Sequence, residues 1–84
     1  MYSVVTSKGF RKRLVGLPAD WQRRILKKIE IIAQAPYASH ANVTKLQGRE
    51  GYRLRVGDWR ILYDLEDNEL IMLVLEMDTR GGIY

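Results

Sequence analysis

Tyr52-Arg53-Leu54-Arg55-Val56-Gly57-Asp58-Trp59-Arg60-Ile61-Leu62-Tyr63 is the stretch that decides the fold. Tyr52, Leu54 and Val56 alternate with Arg53 and Arg55, the period-two pattern of a half-buried strand. Gly57-Asp58 supplies a tight turn, and Trp59 to Tyr63 is again aromatic and β-branched. The stretch therefore reads as two antiparallel strands in a hairpin. Alternation sets Arg53 and Arg55 on one face, and hairpin pairing brings Arg60 to the same face. Like charges side by side weaken a sheet, so three guanidinium groups there point to an anion site rather than to stability.

On the N-terminal side, Tyr2 to Thr6 reads as a first strand. Thr6 or Ser7 caps a helix whose apolar residues are Phe10, Leu14 and Leu17, and Gly16 with Pro18 ends it. Pro18 and Asp20 open a second, longer helix that stops before Pro36. Its apolar stripe is Trp21, Ile25, Ile29 and Ile32, widened by Leu26 and Ala33. This helical pair needs a flat apolar surface, and the later strands provide it. Residues 36–51 have no period and read as a loop; His40 in it is a solvated side chain without a second metal ligand. Within this loop, Lys45 and Arg49 bring two cations to the rim of the sheet, beside Leu46, which points to the core. After the hairpin, Asp67-Asn68 marks a second turn, leading to Leu70 to Met77. That run is apolar on both faces and belongs in a sheet interior. Trp21, Trp59 and Tyr63 fall in apolar stripes and are assigned to the core.

The chain has 84 residues and no cysteine, which suits one domain spanning residues 1–84 and excludes disulfide and thiolate metal chemistry. The net charge of +4 conceals an asymmetry: +9 through Arg60 and −5 beyond it. A basic segment of this kind attracts polyanions, nucleic acid above all. No run approaches a membrane span, and Met1 to Gly9 lacks the apolar core of a signal peptide, so a soluble cytoplasmic protein is expected.

Lys45-Leu46-x-Gly48, the hairpin motif Arg55-x-Gly57-x-Trp59-Arg60-x-x-Tyr63, and Arg80-x-x-Ile83-Tyr84 together resemble the RelE/ParE superfamily of toxins. The resemblance covers essentially the whole chain. It implies an α+β, RelE-like fold: an N-terminal strand, a helical hairpin and three antiparallel strands, with two helices on one face of a four-stranded sheet. The hairpin is shared by both main branches, ribosome-dependent messenger RNA endoribonucleases and inhibitors of DNA gyrase. An arginine followed by a tyrosine in the tail, here Arg80 and Tyr84, is similar to the RelE-like branch. The resemblance therefore implies a toxin of a type II toxin-antitoxin system that cuts messenger RNA in the ribosomal A site. Its catalytic residues would be Arg53, Arg55, Arg60, Arg80 and Tyr84, with Lys45 and Arg49 binding RNA. It implies as partners a cognate acidic antitoxin, the ribosome and messenger RNA, and neither membrane, metal nor small-molecule cofactor. The alternatives are a gyrase inhibitor and a catalytically inactive RNA- or antitoxin-binding relative.

The implied reaction is attack of the substrate's own 2′-hydroxyl on the adjacent phosphate, giving a 2′,3′-cyclic phosphate and a 5′-hydroxyl. It needs a charge clamp, a base and an acid. Arginines suit the clamp, but their pKa above about 12 makes them poor bases. Here the chain departs from the best-known RelE pattern, which has lysine at the positions of Arg53 and Arg55. Tyr84 and Asp78 are the other candidates for proton transfer, and for Asp78 an ion pair orienting Arg80 is the preferred role. The other candidate source of rate is positioning and charge stabilisation, with the ribosome supplying the catalytic surroundings. Lys8, Arg11, Lys12, Lys27 and Lys28 are left for ribosomal phosphates or solvent.

Overall fold

The computed structural model describes residues 1–79 of the chain. Strand β1 (Ser3–Thr6) leads to helices α1 (Lys8–Val15) and α2 (Ala19–Gln34). Four further strands follow: β2 (Val43–Lys45), β3 (Tyr52–Val56), β4 (Trp59–Glu66) and β5 (Ile71–Thr79). They form one sheet in the order β1-β5-β4-β3-β2, with β1 parallel to β5 and the remaining pairs antiparallel. The α+β architecture is the expected one, with a correction to the sheet. It has five strands rather than four, because Val43-Thr44-Lys45, within the stretch read as loop, pairs with Leu54-Arg53-Tyr52. Three residues are too few to display a period, and only the neighbouring strand makes them one.

Helix α1 starts where Ser7 accepts a hydrogen bond from the Phe10 N–H at 3.0 Å, and it buries Phe10 and Leu14. Helix α2 starts after Pro18, with Asp20 in its first turn, and buries Ile25, Ile29, Ile32 and Ala33. Leu26, expected to widen that stripe, instead lies on the outside, 45% exposed. His40 is not merely solvated: its Nε2 lies 2.7 Å from the Ala35 carbonyl oxygen, just beyond the end of α2.

The helices cover one face of the sheet, supplied by Leu54 and Val56 of β3, Ile61 and Tyr63 of β4, and Met72, Val74 and Met77 of β5. Trp21 and Trp59 pack against this core as half-buried residues. Burying each large apolar side chain contributes roughly 1.5–3 kcal/mol, which is what holds two helices on a sheet this small. The β3–β4 turn is fastened from the helix side. Gly57 has φ +59, the left-handed conformation wanted at the first position of a type II′ turn, and a Cβ there would sit 2.5 Å from the Trp21 ring.

One irregularity decides what the other face presents. Leu62 pairs with Glu76 but Tyr63 pairs with Val74, so Leu75 is an extra residue in β5. The bulge lets Val74 and Met77 both point into the core although three positions separate them. It also moves Asp78 to the far face, directly opposite Arg60.

Candidate functional site

The face of the sheet away from the helices carries the arginines. Arg55 is the direct cross-strand partner of Arg60, and Arg53 lies two residues along the same strand on the same side. All three line one open pocket of about 250 Å³, completed by Asn42 and Thr44. Arg53 and Arg60 are half-buried, whereas Arg55 is exposed. The sequence-based expectation that alternation and hairpin pairing would gather these groups is met in detail by the register.

Asn42 and Thr44 escaped sequence reading because their place depends on β2. Thr44 is paired with Arg53. Asn42 has φ 67, a conformation more accessible to asparagine than to most residues, and its carbonyl accepts the Arg55 N–H at 2.9 Å. That bond docks the end of the loop against the arginine strand. The only sequence signal for it was an asparagine before a β-prone triplet.

The pocket continues into a second groove of about 470 Å³ that shares Thr44 and Arg53 with it and adds Lys45, Leu46, Gln47 and Arg49. The two loop cations therefore lie on the same path as the arginine cluster. Arg80 and Tyr84 fall outside the described residues.

Asp78 sits at the opposite margin. Its Oδ1 is 2.5 Å from an Arg13 guanidinium nitrogen and accepts the Thr79 N–H at 2.8 Å. This ion pair joins β5 to α1; the one expected with Arg80 lies outside the described residues. β1 pairs only with Ile71 to Val74, which lets Arg13 reach Asp78 where β5 has run past its neighbour. The Arg13 guanidinium also lies 5.7 Å from the centroid of the Trp59 ring.

Chemically the arrangement is an anion clamp. Guanidinium groups offer paired N–H donors matched to phosphate oxygens, and they keep their charge. Guanidinium, amide and hydroxyl side chains are poor general bases, so the pocket as built suits charge stabilisation and leaves proton transfer to other groups. Tyr63 is on the other face. Its ring stacks on Tyr52 at 5.3 Å, its buried hydroxyl finds no partner among the described residues, and burial, with the neighbouring Tyr52, pushes its pKa up to about 12.

Comparison with known proteins agrees with this fold. Residues 4–84 match the family model described as the ParE toxin of the type II toxin-antitoxin system, parDE. The structure is similar to the archaeal RelE-RelB complex from Pyrococcus horikoshii OT3, with 30% identity, a TM-score of 0.83, and coverage of 96% of this chain and 97% of the other. It shares its fold with the isolated Escherichia coli RelE toxin, at 20% identity, TM-score 0.80, and coverage of 100% and 92%. It also shares it with the YoeB/ParE toxin from Agrobacterium tumefaciens, at 14% identity, TM-score 0.78, and coverage of 93% and 98%. No curated protein sequence matches the chain.

Proposed function

We propose, from the premise that this chain belongs to the ParE toxin family of type II toxin-antitoxin systems within the RelE/ParE superfamily, that it is a ribosome-dependent endoribonuclease. The observation that carries this reading is the convergence of Arg53, Arg55 and Arg60 in one pocket on the face the helices leave open. In this reading the scissile phosphate lies against these groups. The 2′-oxygen forms a bond to phosphorus, the P–O5′ bond breaks, and the 2′-hydroxyl proton leaves to a base while the 5′-oxygen gains one. Charge that accumulates on the non-bridging oxygens is met by guanidinium donors already in place. The arginine pocket supplies no group suited to act as base, so proton transfer falls to Tyr84, to the substrate's surroundings on the ribosome, or to both. Arg80 and Tyr84 complete the site in this proposal, with Lys45 and Arg49 following the RNA backbone. The partner is an antitoxin, as in the solved RelE-RelB complexes. Among the described residues no helix is long and apolar enough to cross a membrane.

A second reading, inhibition of DNA gyrase, is favoured by the ParE description of the matching family. There the cationic face would be a contact surface without chemistry. The two separate in one experiment: the purified toxin is added to translating ribosomes, with messenger RNA cuts mapped by primer extension, and in parallel to a supercoiling reaction. Cleavage only with ribosomes, reduced at least about 100-fold in Arg60→Ala and in Arg80→Ala, is the expected result. Supercoiling inhibition with intact messenger RNA overturns it.

A further inference from the structure

The cationic path does not end at Arg49. Lys45 and Arg49 also line a third pocket, of about 480 Å³, and this one differs in character. It adds two tyrosines, Tyr37 and Tyr52, and the carboxylates Glu50, Asp64 and Asp67. β2 is the edge strand, and Lys45 pairs with Tyr52 whereas Thr44 pairs with Arg53. The path therefore bends round the sheet where β3 begins, into a pocket that takes Tyr52 from the covered face and Asp64, the residue after core-facing Tyr63, from the arginine face.

Tyr37 is the feature without a structural explanation in the core. It is 62% exposed, yet its hydroxyl is clamped by the Asp67 carboxylate at 2.8 and 2.7 Å from the two oxygens. The same carboxylate accepts from the Tyr2 hydroxyl at 2.8 Å. A large aromatic ring is thus held in place from its polar end while its body faces solvent. A phosphate suits this pocket poorly, since its three carboxylates outnumber its two cations. A nucleobase suits it well: a flat, neutral ring that stacks on an aromatic face and donates from its amine and imino groups to carboxylates. Asp64 spends one acceptor site on the Leu65 N–H at 2.8 Å, and a carboxylate offers about four. Guanine presents two adjacent donors to a single carboxylate; uracil presents only one imino donor.

We infer that Tyr37, Tyr52 and Asp64 form a base-binding subsite for an amine-bearing nucleobase, guanine above all, on the RNA strand that the arginine pocket clamps. Lys45 and Arg49 hold the intervening backbone. Tyr52 lies three residues from Arg55, about 10 Å at ~3.3 Å per strand residue. The RNA must also pass the edge of the sheet, so the base read here lies a few nucleotides from the cut without being cut. The inference rests on the endoribonuclease reading and adds a sequence preference to it.

The test uses the full-length toxin and single-stranded eight-nucleotide RNAs, made uncleavable by one 2′-deoxy substitution and carrying G, A, C or U at each flanking position in turn. Wild-type protein is expected to bind with a preference for G over U at one position within a few nucleotides of the deoxy site. Tyr37→Ala is expected to lower affinity about tenfold and to erase that preference, because base-aromatic stacking is lost. Tyr37→Phe keeps the ring and most of the affinity. Asp64→Asn reduces the discrimination between G and U more than the affinity itself. Urea midpoints of the variants confirm that they are folded. Unchanged affinity and base preference in Tyr37→Ala overturns the subsite, as does the lack of any wild-type binding at about 1 mM RNA. Failure of the endoribonuclease reading looks different: no cuts on ribosomes, or Arg55→Ala binding RNA as well as wild type.

Discussion

Leu54 and Arg55 are adjacent in one strand, yet one is 1% exposed beneath the helices and the other stands in solvent above an anion pocket. The same division runs along the β3–β4 hairpin, with Leu54, Val56, Ile61 and Tyr63 on the covered side and Arg53, Arg55 and Arg60 on the open side. The pleat thus lets one set of hydrogen bonds carry two independent surfaces. Stability resides in the face that excludes water. The open face places like charges opposite one another at Arg55 and Arg60, a pairing that repels across the strands and becomes favourable when a phosphate lies between them.

The most direct way to break this comparison is to truncate the two neighbours in turn. Leu54→Ala is expected to cost about 2–5 kcal/mol in urea unfolding, because it leaves a cavity among residues that cannot all collapse into it. Arg55→Ala is expected to change stability by no more than about 0.5 kcal/mol, because it removes an exposed side chain that packs on nothing in the core. The division of labour fails if the two variants unfold at the same denaturant concentration, or if Arg55→Ala cleaves messenger RNA as fast as wild type.

A smaller effect is expected where the two faces are joined, at the turn. Gly57→Ala meets both an unfavourable left-handed backbone and the Trp21 ring, and should destabilise by about 1–3 kcal/mol. Adding Trp21→Ala relieves the clash but not the backbone strain, so the double variant should lose less than the two single losses summed. Strict additivity in thermal melts would show that the ring does not hold the turn.

The smallest effect concerns the Asp67 clamp, on the covered side of the molecule. Hydrogen bonds from Tyr37 and then Tyr2 lower the Asp67 pKa below its ordinary value near 3.8. A folded-state pKa below the unfolded one means the contribution is present above about pH 4 and fades as pH falls through the lowered value. The tyrosines give the mirror image. Their pKa values are raised, chiefly by the bond to Asp67, so the contribution holds below the ordinary pKa of 10 and is lost as pH rises past the raised values. Asp67→Asn should lower stability between about pH 4 and pH 10 and flatten both limbs of the stability-pH curve, so that variant and wild type converge toward the extremes. Curves that superimpose from pH 2.5 to pH 11 would show that the clamp contributes nothing.

Much of this was legible in the chain because it is encoded locally. Helical spacing marked Phe10, Leu14, Ile25, Ile29 and Ile32, period two marked the hairpin, and the motif from Arg55 to Tyr63 pointed to the superfamily whose fold is found. What escaped was encoded between segments. β2 is three residues that become a strand only against β3, and Asn42 enters the pocket only because its carbonyl meets Arg55. Asp78 is turned toward the arginine face by a bulge that no period announces, and its partner Arg13 lies 65 positions away.

By itself, then, the sequence determined the main apolar stripes of the two helices, the β3–β4 hairpin and that three arginines share a face, since those follow from side-chain periodicity acting over a few residues. The tertiary structure alone decided that the arginines sit in a pocket with Asn42 and Thr44, that Asp78 is tied to Arg13, and that the cationic path bends round the sheet to Tyr37. The physical reason is that register, bulges and loop docking are set by packing and hydrogen bonds between residues far apart in the chain, on which local alternation is silent.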